Sequence, residues 1–279
     1  MPLHDVSSLA LEPVDDLRPI QIRADPSGLA FDVHAETLYV ADAYSGAIVR
    51  VVGPRQRRIA TIDGAGVIGA DRIAGLAITP YGTLYAARPG GGQAGTIIRV
   101  EPDGQTEILD GLPARYTRLG LAYDAREHAL YTTQFVASAH GAVDGSVVVI
   151  DLVSGVPSTI IDGFTRPVGI AKLGSTLVVA DARQRAVFRI DLVAGRAVRR
   201  LQIVGDIGRP DSVCAAGPDS VIVTSYDEEA ERGAVRRLWL DGRTRGIARG
   251  PWEPRGVATD GEHAYVAIRR GGQVLKFTV

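Results

Sequence analysis

Pro167-Val168-Gly169-Ile170-Ala171, then Leu177-Val178-Val179-Ala180-Asp181, then Val187-Phe188-Arg189-Ile190 make up the unit whose reading decides the fold. Three short runs of aliphatic and β-branched residues, separated by turn-sized gaps, describe antiparallel strands, because such side chains pack well on a pleated surface. The first run is small and apolar, which suits a strand crowded against an axis. A fourth, more polar run would complete the sheet on its solvated side.

The unit recurs along the chain. Its opening signature, Gly-aliphatic-Ala, appears as Gly28-Leu29-Ala30, Gly75-Leu76-Ala77, Gly120-Leu121-Ala122, Gly169-Ile170-Ala171, the degenerate Ser212-Val213-Cys214, and Gly256-Val257-Ala258. Successive copies lie 43 to 49 residues apart, a period of about 40 to 50 residues being that of propeller blades. Second runs such as Leu38-Tyr39-Val40-Ala41 and Ala264-Tyr265-Val266-Ala267 follow each signature, and third runs often end at turns such as Pro102-Asp103-Gly104 or Asp241-Gly242. The spacing therefore predicts an all-β, six-bladed β-propeller of four-stranded antiparallel blades.

The sixth copy stops at Val279 after its third strand, and an unpaired edge there would invite aggregation. Ile20-Gln21-Ile22-Arg23 alternates apolar and polar residues ahead of the first signature. It is expected to supply the missing fourth strand and close the ring. The expected organisation is one propeller domain over residues 1–279, with 1–18 as an N-terminal extension.

The extended pattern Pro-x-Gly-aliphatic-Ala at Pro26–Ala30, Pro167–Ala171 and Pro254–Ala258, with Leu38-Tyr39-Val40-Ala41-Asp42 and Val178-Val179-Ala180-Asp181, resembles NHL-repeat propellers. The same ring is shared by the SMP-30/gluconolactonase family, by strictosidine-synthase-like proteins and, with seven blades, by virginiamycin B lyase. Gly217-Pro218-Asp219 is similar to the blade motif of that lyase, but Val221-Ile222-Val223-Thr224 replaces its usual Trp-Phe-Thr-Glu continuation. The gluconolactonase resemblance implies a divalent metal held by a Glu, two Asn and an Asp just before inner strands. Here only Asp211 matches that pattern; the equivalent positions are Ser27, Ala74, Leu119, Val168 and Arg255, and the chain contains no Asn. The expectation is a site without metal or other cofactor.

Composition removes several classes of function. The net charge is −1 with no Lys/Arg block, so neither nucleic acid nor an anionic membrane is an expected partner. Cys214 is the single cysteine and sits in the apolar run Ser212–Ala216, which excludes a disulfide scaffold and suggests a small core residue. With no leader-like opening and no long apolar stretch, a cytoplasmic protein is expected. There is no G-x-S-x-G, no H-E-x-x-H and no Cys/His cluster. Gly90-Gly91-Gly92-Gln93-Ala94-Gly95 fits G-x-G-x-x-G, but joins two strands and cannot cradle phosphate as a strand-to-helix turn does.

In this fold the loops leading into inner strands, and those between second and third strands, share the mouth of a central channel, where ligands are expected. The repeat places Arg72, Arg118, Arg166, Arg209, Asp211 and Arg255 on the first set of loops, and Asp42, Tyr44, Arg88, His140, Asp181, Tyr226 and Arg269 on the second. Guanidinium forks suit a carboxylate or phosphate, making Arg72, Arg88, Arg166, Arg209, Arg255 and Tyr44 the expected substrate-binding residues. The alternative is plain arginine bias, with the cations paired to Asp42, Asp181 and Asp211; all basic residues except Lys172 and Lys276 are Arg.

His140, in the apparent long loop Gln134–Gly141, Tyr226 beside Asp227, Glu228 and Glu229, and Asp211 are the candidate proton carriers. Each also has a bland reading as an exposed loop residue or a solvated charge, and Asp42 and Asp181 read best as braces of the following turns. The expected function is small-molecule chemistry at the mouth, hydrolase or lyase in type, on an anionic or lactone-like metabolite. The alternative is a noncatalytic propeller that binds a ligand or a protein partner through the same loops.

Overall fold

The computed structural model describes residues 19–22, 24–63, 72–138 and 141–279. It contains six four-stranded antiparallel sheets. Their innermost strands are Pro26–Asp32, Leu76–Ile78, Tyr116–Asp124, Pro167–Leu173, Arg209–Ala215 and Pro254–Thr259, which define blades 1 to 6. Each inner strand touches the inner strand of the next blade and the sixth touches the first, so the sheets form a closed ring.

The signature now has a physical account. In a strand, successive side chains point to opposite faces, so the two residues after the glycine serve different neighbours. The aliphatic residue packs towards the preceding blade and the alanine towards the following one. Thus Leu76 joins the apolar cluster between blades 1 and 2 while Ala77 joins the one between blades 2 and 3; Ile170 and Ala171 divide in the same way around blade 4. Each joint receives one large and one small contribution.

The glycine has no room for a side chain because the next blade's backbone lies against it. A methyl on Gly120 would stand 2.7 Å from the Val168 carbonyl oxygen, one on Gly169 would stand 2.8 Å from the Val213 nitrogen, and one on Gly28 would collide with the Ala74 carbonyl. Blade 5 carries Ser212 instead, whose Oγ accepts a hydrogen bond from Val257 N at 3.3 Å. That joint is also tied by Thr224 Oγ1 donating to Arg255 O at 2.7 Å.

The ring closes as the alternation of Ile20-Gln21-Ile22 predicts. Ile20–Gln21 pairs antiparallel with Gln273–Thr278, Ile20 opposite Val274 and Gln21 opposite Gln273. Ile22 N donates to Gly272 O at 2.7 Å, and the Ile22 side chain is buried with Val274 and Leu38 between blades 6 and 1. Both termini of the ring therefore belong to one sheet.

One expectation is corrected. The segment 134–141, expected as a long loop, is strand at residues 134–138 and 141: Ala129–Ser138 pairs with Gly141–Asp151 out to Ser138 opposite Gly141, across a bulge at Gln134–Val136. The β-branched and aromatic residues of Thr132-Thr133-Gln134-Phe135-Val136 carry the ladder past the blade, with Phe135 buried and Gln134 Nε2 donating to Ser146 Oγ at 3.2 Å. His140 lies outside the described residues, as do residues 1–18. Gly90–Gly92 forms a single 3₁₀ turn between two strands, so the glycine-rich run opens no helix.

Candidate functional site

A cavity of about 480 Å³ follows the inner strands through the ring. The residue just before each signature points to its wall near the mouth: Ser27, Ala74, Leu119, Val168, Asp211 and Arg255. Arg166, Arg209 and Arg269 line the same cavity. The third residue after each signature start forms a second tier farther along: Phe31, Ile78, Tyr123, Lys172, Ala215 and Thr259. The mouth is thus one-sided, apolar across blades 1 to 3 and charged across blades 4 to 6.

Asp211 is the one acid among the described residues of this wall. Burial pushes its carboxyl above the usual aspartate range; Arg255, Arg209 and Arg166 pull it back, and Glu253 pushes it further up. Desolvation exceeds the pull of the arginines because the group stands inside the ring, where the charged form loses its hydration. The result is a carboxyl that exchanges a proton closer to neutrality than an exposed aspartate does.

The arginines are not equivalent. Arg209 Nη2 donates to Glu253 Oε1 at 2.8 Å, and Arg269 Nη1 donates to the same oxygen at 2.9 Å. Arg209 Nε stands 2.9 Å from Glu228 Oε1, a mostly exposed carboxylate. Burial raises and the two guanidinium groups lower the proton affinity of Glu253, leaving it below its ordinary range, so it is the fixed anion of the cluster. Arg166, by contrast, makes no ion pair with another described residue; its guanidinium rests 5.9 Å from the Phe135 ring centroid. Its backbone N–H donates to Asp181, and its side chain lines the cavity.

The other arginine and tyrosine candidates stand elsewhere. Arg72 is exposed and Tyr44 is 83% exposed, and neither lines the cavity. Arg88 spends its guanidinium on Ala94 O at 3.2 Å and Asp63 O at 3.5 Å. Tyr226 lies in register with Arg209 and its ring flanks that guanidinium at 6.0 Å, outside the cavity wall. Arg118, expected at the mouth, is 1% exposed and points into the protein. A register shift between Arg118 and Leu121 turns it inward, where it donates to Gly95 O at 2.8 Å and Pro113 O at 3.1 Å; burial lowers its pKa to about 10.

Asp42 and Asp181 are turn braces. Asp181 is fully buried and accepts from the backbone N–H groups of Thr165, Arg166, Arg183 and Gln184. Asp42 accepts from Asp25 N, Tyr44 N and Ser45 Oγ. Cys214 lines the cavity and also packs towards blade 6; burial pushes its thiol up to about 12, so it is no thiolate at neutral pH.

Glu253 escaped the sequence reading although a signal was there. It precedes Pro254 as Asp25 precedes Pro26, Arg166 precedes Pro167 and Arg209 precedes Pro210, so four copies place a charged residue at one position, two of each sign.

The described residues of the mouth do not suit a dication. Among the described residues no group of three or more His, Cys, Asp or Glu side chains converges on a point. Asp211, the one acid among the described residues of the wall, is faced by Arg255, Arg209 and Arg166, cations that repel a metal ion.

No protein-family profile matches the sequence, and no curated protein matches it. Among solved structures the chain is similar to a gluconolactonase from Xanthomonas campestris, with a TM-score of 0.75 and 17% identity over 94% of this chain and 89% of that one. It is also similar to regucalcin, a calcium-binding protein from Agrobacterium tumefaciens (TM-score 0.69, 15% identity, 92% and 91% covered). A third is virginiamycin B lyase from Staphylococcus aureus (TM-score 0.64, 15% identity, 95% and 99% covered). At these identities what is shared is architecture: the chain is a six-bladed β-propeller similar in fold to the solved gluconolactonase and regucalcin structures.

Proposed function

We propose that this protein is an enzyme acting on a small anionic or lactone-like metabolite at the mouth of its channel, with hydrolase chemistry that uses its own side chains. The observation that carries the reading is Asp211, a carboxyl of raised proton affinity on a cavity wall shared with Arg166, Arg209, Arg255 and Arg269. A group tuned in that way suits general acid–base work.

In hydrolysis of a lactone, Asp211 takes a proton from water as the water oxygen bonds to the carbonyl carbon. The carbonyl electron pair moves to oxygen, and the arginine field stabilises that charge in a site partly shielded from solvent. When the ring C–O bond breaks, the proton passes from Asp211 to the leaving oxygen, and the product is a hydroxy acid. Its new carboxylate is an anion of the kind that guanidinium groups bind bidentately. The similarity in fold to a solved gluconolactonase supports the choice of reaction class.

The test is turnover of a panel of γ- and δ-lactones in metal-free buffer. Asp211→Asn should lower kcat by about 100-fold or more, the scale of a lost general acid–base group, and Arg166→Glu should chiefly raise KM. Turnover unchanged in Asp211→Asn would overturn the assignment of the proton carrier. Turnover that appears only on adding a divalent cation would overturn the use of side chains alone.

A further inference from the structure

We infer that the substrate is a carboxylate with an apolar body, and that hydroxyl-rich sugar acids are poor ligands. The inference rests on the proposed anion-binding mouth and adds what the other half of the wall requires.

Across blades 1 to 3 the mouth tier is Ser27, Ala74 and Leu119, and Val168 of blade 4 continues it. Ser27 is 4% exposed and its hydroxyl is engaged with Ile73 O at 3.0 Å and Ala41 O at 3.3 Å. The other three offer no polar side-chain atom. The deeper tier adds Phe31 and Ile78, and the hydroxyl of Tyr123 is engaged with His128 Nδ1 at 3.0 Å. A polyhydroxylated chain laid on this half would exchange its water hydrogen bonds for aliphatic contact. An alkyl or aryl body would lose no hydrogen bond there and would remove apolar wall from water.

The cationic half has the opposite character and lies directly opposite. Arg166 carries no ion pair with a described residue, while Arg209 and Arg269 are partly neutralised through Glu253. A guanidinium with no ion pair to a described residue favours one carboxylate, so the geometry calls for a single charged end near blade 4 with the apolar body lying towards blades 2 and 3. A volume of about 480 Å³ is within the range of small-molecule sites, roughly 300–1,000 Å³.

Octanoate and gluconate carry the same charge and differ in the body, which makes them a matched pair for calorimetric titration of the full chain. Octanoate should bind at least about 10-fold more tightly, as expected for burial of a few methylenes, and Arg166→Glu should abolish the binding of either acid. Leu119→Ser should cut the octanoate preference by about 10-fold, and Ala74→Ser, which adds a hydroxyl without removing packing, should reduce it in the same direction. Gluconate binding as tightly as octanoate, with loss of both in Arg166→Glu, would overturn the apolar-body inference and leave the anion site standing. A preference unmoved by both wall variants would overturn it too. Failure of both acids to bind at millimolar concentration would overturn the anion site and this inference with it.

Discussion

Gly28→Ala is the most direct test of how the ring is held. A methyl at Gly28 would lie 2.9 Å from the carbonyl carbon of Ala74 and 3.0 Å from that of Gly75, with the Ala74 oxygen closer still. Carbon atoms in contact prefer about 3.5–4.0 Å, so blades 1 and 2 must part by roughly 0.5–1 Å at their innermost strands. The atoms struck are backbone, and no rotamer change relieves them. Overpacking of this kind costs about 1–3 kcal/mol and at times more; with no flexible neighbour, about 3 kcal/mol is expected here. For a domain of this size that lowers Tm by about 6–12 °C. The matched control is Ser212→Ala at the same repeat position in blade 5, where a Cβ is already accommodated and only the Val257 N hydrogen bond is lost, a change of about 1 kcal/mol. Differential scanning calorimetry of both variants decides the matter. A Gly28→Ala melt within about 2 °C of the parent, or equal to that of Ser212→Ala, would refute glycine-mediated blade contact.

Deleting the chain through Arg23 removes the half-buried Ile20 and the buried Ile22 from the joint between blades 6 and 1, and should lower Tm by about 10 °C, on the scale of about 2–5 kcal/mol for a fully buried isoleucine; an unchanged melt would count against the closure. Asp181→Ala leaves four backbone N–H groups without their acceptor, at about 1–3 kcal/mol each, so the variant should be mostly unfolded by circular dichroism at 25 °C. Asp211→Asn should raise stability at pH 7. The native carboxyl titrates above its unfolded value, so the stability linked to its protonated form is present in acid and lost as pH rises from the unfolded pKa through the native one. The gain in Tm should therefore vanish as pH falls below about 4, and a constant difference across pH 4–8 would contradict the direction of the shift.

The ring was legible because its determinants repeat. Gly-aliphatic-Ala marks a strand whose two faces serve two neighbours, and six copies at blade spacing leave few other folds. Closure could be read from Ile20-Gln21-Ile22 because an unpaired edge has to be covered. The site was less legible because it depends on where single side chains turn, which periodicity does not specify. Arg118 and Arg166 both precede signatures by a similar distance, yet a bulge buries the first among carbonyls while Asp181 holds the backbone of the second at the channel. Glu253 was invisible as a partner of Arg209 and Arg269 because the three come from different strand ends, brought together only when blades 5 and 6 pack. The extension of strand through Gln134–Ser138 was missed because a hairpin outreaching its own sheet has no counterpart in the other copies.

The inner strands overlap like roof shingles, each glycine tucked against the backbone of the blade that follows and not of the one before. Gly169 sits against Ser212 and Val213, on the strand that carries Asp211. The aim of that carboxyl is therefore governed by an adjoining repeat through an atom that is missing, so a substitution in blade 4 can detune the acid in blade 5 without touching it, and a search for its determinants among its own contacts would overlook the residue that sets its bearing.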